Sequence, residues 1–238
     1  MSMVSYNITE LVDRFDTRSP AEGETGVTGK LSSFLGDDLL LDVLAHALAA
    51  EGQKVARLQG HPHGDMAVFD AAGAERPGFR DLDAWLIAGR HLVAVECKQW
   101  TSSSPRYVSV PGDDNRVAEY ARREWEKSVE WHFTRGRWDE VNKVALPLKP
   151  PDAAEKASWP DIRRVLAVWT PVSQDGQYAF SSIQTQTLSG TSWKPATVEA
   201  FSASLYLRNL RHRGETHLTT TFPQVERLLE GLHALFRS

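Results

Sequence analysis

The chain has a single cysteine, Cys97, in 238 residues. One thiol excludes an internal disulfide and any zinc site built on several cysteines. Long apolar runs are missing as well. The longest candidate, residues 39–50, is interrupted by Asp42 and His46 and falls short of the roughly 18 residues a membrane span needs. No basic segment followed by an apolar run stands at the start, so no secretory signal is expected. A cytoplasmic location with no membrane partner is the resulting expectation. There is no surplus of positive charge either: 27 Lys and Arg stand against 31 Asp and Glu, a net charge of -4. A protein that only coats nucleic acid is usually basic, and this one is not. Local cations beside an acidic metal site would still be compatible with phosphate chemistry.

What is present is the patterning of an α/β chain. Residues 1–35 read as a loosely held lead-in, with one short helix over 8–15. A first long helix is expected over 36–51, where Leu40, Leu41, Leu44 and Leu48 recur at helical spacing. Asp37 and Asp38 would then occupy its first turn, where carboxylates suit the helix dipole. Short strands are expected over 54–58 and 66–69, and two stronger ones over 79–87 and 91–100, joined by the tight turn Ala88, Gly89, Arg90. Residues 113–133 predict a helix with Val117, Tyr120, Ala121, Trp125, Val129 and Phe133 on its apolar stripe. An apolar run over 165–170 reads as a buried strand and 179–187 as a further one. Residues 197–210 and 223–236 read as helices. The order implies an α/β sandwich with a mixed sheet. Its core spans 36–170, and residues 171–238 form a strand and helical extension of the same domain.

The two stronger strands carry the chemistry. Alternate residues of a strand share a face. On 91–100, Val93, Val95 and Cys97 take one face; Leu92 and Ala94, then Glu96 and Lys98, take the other. On 79–87, Asp81 and Asp83 fall on one face and Leu82, Ala84 and Leu86 on the other. A short hairpin can therefore cluster Asp83, Glu96 and Lys98. Phosphodiester hydrolysis uses such a cluster. Two carboxylates hold a hard divalent cation, the cation acidifies a bound water, and a lysine offsets charge developing on the phosphate. The plain alternative is a surface hairpin with an ordinary Glu96–Lys98 ladder. Asp81 competes with Asp83 for the ligand role.

Leu82-Asp83-Ala84-Trp85-Leu86, then Glu96-Cys97-Lys98 with twelve residues between Asp83 and Glu96, resembles the signature of the PD-(D/E)XK, restriction-endonuclease-like nuclease superfamily. The resemblance implies a restriction-endonuclease-like sandwich with an α-β-β-β-α-β core. It also implies a Mg²⁺-dependent endonuclease activity, with Mn²⁺ as a substitute and DNA as the expected substrate. In that reading Asp83, Glu96 and Lys98 are catalytic. Asp83, Glu96 and the Cys97 backbone carbonyl hold the metal, and Asp37 is a further candidate because Gly36-Asp37-Asp38-Leu39 resembles the acidic first helix of many members. The stretch 95–104 resembles bacterial members linked to restriction and defence, which implies protein partners of a defence system. Two departures stand out. Leu82 replaces the Pro, and the following helix carries Val117-Ala-Glu-Tyr120 where the RecB-like branch has Gln-x-x-x-Tyr. An inactive nucleic-acid-binding or assembly subunit of the same fold is the competing implication.

Smaller signals are read both ways. Asp37 or Asp38 can simply cap a helix start. Cys97 reads as a small core residue. His61 and His63, with Pro62 and Gly64, read as a turn. Arg208, Arg211 and Arg213 can grip phosphates or form a solvated helix end, and Arg122, Arg123 and Lys127 are read the same way. Trp85, Trp125 and Trp169 suit core positions, and Trp100 suits either packing or base stacking.

Overall fold

The computed structural model describes residues 5–16, 27–58, 68–69, 75–76, 82–98, 113–134, 144–145, 161–185, 195–219 and 222. In chain order these form β1 (Ser5–Asn7), α1 (Ile8–Asp16), α2 (Val27–Ala50), β2 (Val55–Arg57), β3 (Val68–Phe69), β4 (Glu75–Arg76), β5 (Ala84–Ala88), β6 (His91–Lys98), α3 (Asp114–Glu124), a π-helical segment (Trp125–Glu130), α4 (Trp131–Thr134), β7 (Ile162–Val168), β8 (Phe180–Gln184), β9 (Thr197–Ser202), α5 (Ala203–His212) and β10 (His217–Thr219). The expected helix over 223–236, the turn at 61–65, Asp81 and Trp100 lie outside the described residues. No described helix is long and apolar enough to cross a membrane.

The protein is a mixed α/β structure built on a six-stranded sheet of order β2-β5-β6-β7-β9-β8. The β5–β6 hairpin is antiparallel with Ala84 opposite Val95 and Ala88 opposite His91, and Gly89 turns it at φ 58, the positive backbone angle that tight hairpin turns require. β6, β7 and β9 run parallel. A parallel neighbour needs a long crossover, and the helix following β6 supplies it. β8 closes the far side antiparallel to β9.

Side-chain alternation divides the core between the two sheet faces. Ala84, Leu86, Ala88, Val93, Val95 and Cys97 pack with α1, α2 and α5. Trp85, Leu92, Ala94, Leu166 and Val168 pack with Trp125, Val129 and Phe133. The crossover helix serves both faces: Val117, Tyr120 and Ala121 join the first cluster and the residues from Trp125 onward join the second. Four-residue steps from Ala121 to Trp125, Val129 and Phe133 overshoot a turn of about 3.6 residues. The wider π-helical turn takes up that drift and keeps all three buried. Trp85, Trp125 and Trp169 are core residues, as their positions predicted.

Three expectations are corrected. Helix α2 begins at Val27 and not at Gly36. Asp37 and Asp38 therefore lie mid-helix, beyond the end turn where capping and the dipole act. Residues 197–202 are strand β9, with the helix starting only at Ala203. Val198 and Ala200 alternate into the second core cluster while Phe201 turns to the first, and this alternation overrode the helix-like composition. The Ser202 hydroxyl then accepts the Leu205 N–H at 3.3 Å and caps α5. The lead-in is not loose at α1, since Ile8, Leu11 and Val12 belong to the first core cluster.

Candidate active site

β6 is the second strand of the hairpin and the first of the three parallel strands, so its end is shared by both halves of the sheet. β5 pairs with it only as far as Ala84 opposite Val95. Beyond that point the chain bends at Asp83, and the Asp83 carboxylate takes the place of a strand carbonyl. The Cys97 backbone N–H donates to Asp83 Oδ2 at 2.6 Å. In a strand the N–H and C=O of one residue point to the same edge. The Cys97 carbonyl therefore faces the same vacated edge as Asp83.

Glu96 and Lys98 are two residues apart on β6 and share a face. They form an ion pair at 2.6 Å between Lys98 Nζ and Glu96 Oε1, with Glu96 only 1% exposed and Lys98 19% exposed. A buried carboxylate is costly unless it is paired and hydrogen-bonded, and Lys98 meets that need at Oε1. Asp83 therefore meets β6 at the backbone of Cys97, the residue between Glu96 and Lys98.

Cys97 reports on its surroundings. Burial pushes its thiol well above the ordinary value; the charges of Asp83, Asp37 and Glu96 push it further, and Lys98 opposes them. Three carboxylates from α2, the bend before β5, and β6 are thus close enough to act on one sulfur atom. The thiol itself is a neutral, buried core group, as its alternation predicted. Asp38 faces elsewhere and pairs with Arg57 of β2 at 2.6 Å. That contact pins α2 to the sheet edge while its neighbour Asp37 sits on the Cys97 side.

The proposed basic grip is not uniform. Arg208 is 4% exposed and lies against Asp114 at the start of α3 at 3.9 Å. It is a packed residue of α5 and not a surface cation, which corrects its reading as a phosphate contact. Arg213 is exposed and Arg211 half-buried.

The residues suit a hard cation in their chemistry, because all the candidate donors are oxygens. Among the described residues no three His, Cys, Asp or Glu groups converge to hold a metal. Mg²⁺ does not demand that many, since it keeps several waters and uses one or two carboxylates together with substrate phosphate. The sequence signal missed Arg57 and its clamp on Asp38, because β2 and α2 are joined only in three dimensions. Comparison of the chain with known protein families, characterised proteins and solved structures yields no match.

Proposed function

We propose that the chain is a metal-dependent nuclease of the PD-(D/E)XK, restriction-endonuclease-like type, cutting DNA with Mg²⁺ or Mn²⁺. One observation carries the reading: at the point where the β5 ladder stops, the Asp83 carboxylate takes the backbone N–H of Cys97, whose neighbours on β6 are the ion-paired Glu96 and Lys98. With the separate β3–β4 pair and the continuation of α3 set aside, the six-stranded sheet and its helices follow the succession α2, β2, β5, β6, α3, β7, which supports the reading, being the α-β-β-β-α-β order that the resemblance implies. A restriction or phage-defence setting, with partner proteins to match, is part of the same proposal and rests on the stretch 95–104.

Asp83 and Glu96 would hold the cation, with the Cys97 carbonyl at the same edge and Asp37 as a further oxygen donor. A divalent ion bound there supplies an acidified water and offsets charge at phosphorus. Lys98 keeps the Glu96 carboxylate oriented, then lends its positive charge to the attacked phosphate and helps to orient the attacking water. Arg57, through Asp38, fixes the helix that carries Asp37. The direct test is plasmid digestion in Mg²⁺, Mn²⁺ and EDTA, with Glu96→Ala and Lys98→Ala as controls. Metal-dependent nicking or linearisation lost in both variants supports the reading. Absence of any cleavage of DNA or RNA by the unaltered protein sinks it.

The closed Glu96–Lys98 pair favours a second reading, a non-catalytic nucleic-acid-binding or assembly subunit in which the pair is purely structural. DNA binding without cleavage and without metal-dependent stabilisation would select it.

A further inference from the structure

The loop leaving β7, residues 171–179, holds the one large apolar side chain that stands exposed among the described residues, Tyr178 at 69%. The loop beneath it is firmly built. Asp175 Oδ1 accepts the Gln177 N–H at 2.8 Å and the Tyr178 N–H at 3.0 Å, and the Ser173 hydroxyl donates to the same oxygen at 2.8 Å. Partial burial pushes the Asp175 carboxyl up, yet those hydrogen bonds outweigh it and hold the group below the usual carboxylate range. Ser181 Oγ accepts the Gln174 N–H at 3.0 Å. Gly176 sits at φ 84 directly against the Ala118 carbonyl of α3. The Ser173 N–H donates to the Ala121 carbonyl at 3.2 Å, and Asn209 of α5 donates to the Gln177 carbonyl at 3.3 Å.

The same residue that positions Tyr178 also positions a cation. The exposed Arg122 side chain donates from Nη1 to the Asp175 carbonyl at 2.9 Å. On the next position of α3, Arg123 lies over the Tyr120 ring at 5.3 Å from its centre. The Asp175 charge is occupied by its own loop, and Glu119 and Glu126, each about one helical turn from Arg122 in sequence, are the exposed carboxylates of that stretch. The guanidinium is held on the Asp175 carbonyl, three residues along the loop from the exposed ring, and an exposed ring with a fixed cation on the same loop is a combination that binds unpaired nucleotides, with a base on the ring and its phosphate on the cation.

The location fits a substrate strand. β6, β7 and β9 are parallel, so the ends of β6 at Lys98 and of β9 at Ser202 lie at one edge of the sheet. Tyr178 precedes Phe180, which pairs with Phe201 at that same edge. Three strand spacings, roughly 14 Å, separate β8 from β6 sideways, with the loop held against α3 and α5 on the first-cluster side and Glu96 and Lys98 on the other face of β6. The sideways distance is a few nucleotides along a chain.

We infer that Tyr178 and Arg122 form a contact for an unpaired stretch of the nucleic-acid substrate, flanking the scissile position; this rests on the nuclease reading above. Tyr178 stacks on a base and Arg122 meets the neighbouring phosphate. The test is fluorescence anisotropy with a labelled DNA single strand and its duplex, in Ca²⁺ to prevent cutting, on the wild type, Tyr178→Ala, Tyr178→Trp and Arg122→Ala. Tyr178 is exposed, so its removal leaves the fold intact. The expected result is about tenfold weaker single-strand binding by Tyr178→Ala, retained affinity in Tyr178→Trp, and a reduced salt dependence in Arg122→Ala. Tyr178→Ala binding the single strand as tightly as the wild type overturns the inference alone, provided the wild type still cuts plasmid. Tyr178-dependent binding by a protein that cuts nothing supports the contact and removes the catalytic reading. A wild type that binds neither probe overturns both.

Discussion

The Asp83 carboxylate and the Cys97 backbone N–H are joined at 2.6 Å, so the residue expected to bind metal also terminates the β5–β6 ladder. The two roles separate by substitution. Asp83→Asn keeps an acceptor for the Cys97 amide and loses the charge; Asp83→Ala loses both. Cleavage should vanish in each. Stability should fall by about 1.5–3 kcal/mol in Asp83→Ala and by less in Asp83→Asn, where a neutral hydrogen bond replaces the charge-assisted one. Urea melts of the three proteins, read beside a plasmid assay, check this. Equal stability of the Ala and Asn variants would show that the bond contributes nothing to the fold.

On β6 the site was legible because strands impose a period of two; on 79–87 the alternation failed, since β5 begins only at Ala84, the chain bends at Asp83, and Leu82 packs in the second cluster while Ala84 and Leu86 pack in the first. The assignment of Val93, Val95 and Cys97 to one face and Leu92, Ala94, Glu96 and Lys98 to the other followed from alternation alone, and the two core clusters bear out the apolar part of it. The tight turn at Gly89 then set the register. The start of α2 was not legible, because Gly36 followed by two aspartates imitates a helix N-terminus. The strand at 197–202 was misread because it runs without a break into α5, and the junction at Ser202 carries no Gly or Pro to mark it. The pairs Arg57–Asp38 and Arg163–Glu199 join residues distant in sequence, and no local pattern reports them.

His46 on α2 bonds through Nδ1 to the Tyr206 hydroxyl of α5 at 2.7 Å. Burial lowers its basicity, with Glu215 opposing, and burial raises the Tyr206 hydroxyl to about 12. The unfolded chain therefore takes up a proton at His46 before the folded one does. The resulting stability is present in full above the unfolded value of about 6.5. It declines as pH falls below that value and is lost once the folded value is passed. Chemical melts between pH 7.5 and 5 should show this decline, and His46→Gln should flatten it. An unchanged pH profile in that variant would assign the decline to other groups.

Gly176 combines φ 84 with a backbone carbonyl where a Cβ would stand, that of Ala118. Substitution by alanine adds left-handed backbone strain of about 1–2 kcal/mol to a clash that no side-chain rotation relieves. Gly176→Ala should lower stability by at least about 2 kcal/mol. At Gly214, also at φ 84 but with nothing nearby, alanine should cost the strain alone. Thermal melts of the two variants compare the sites directly; equal losses would place Ala118 out of reach.

Removing Lys98 tests what the Glu96 pair is for. Removing one of two exposed adjacent charges would leave the fold untouched, because it relieves as much desolvation as it removes attraction. With Glu96 only 1% exposed, the variant instead leaves a buried carboxylate without its cation. The expected cost is on the order of 2 kcal/mol, less than for a fully buried pair because Lys98 is partly exposed. If Glu96 is a metal ligand, Mn²⁺ can replace the missing charge. Binding to the folded state alone then raises stability. Mn²⁺ should raise the melting temperature of Lys98→Ala at least as much as that of the wild type, and should not raise that of Glu96→Ala. Cleavage should fall at least about a hundredfold in Lys98→Ala, because the phosphate has lost a stabilising charge, and should be absent in Glu96→Ala. Stabilisation of Glu96→Ala equal to that of the wild type would remove Glu96 from the ligand set. A Lys98→Ala protein that is destabilised, indifferent to Mn²⁺ and derived from an inactive wild type would leave the pair as a structural bond at the end of a buried strand.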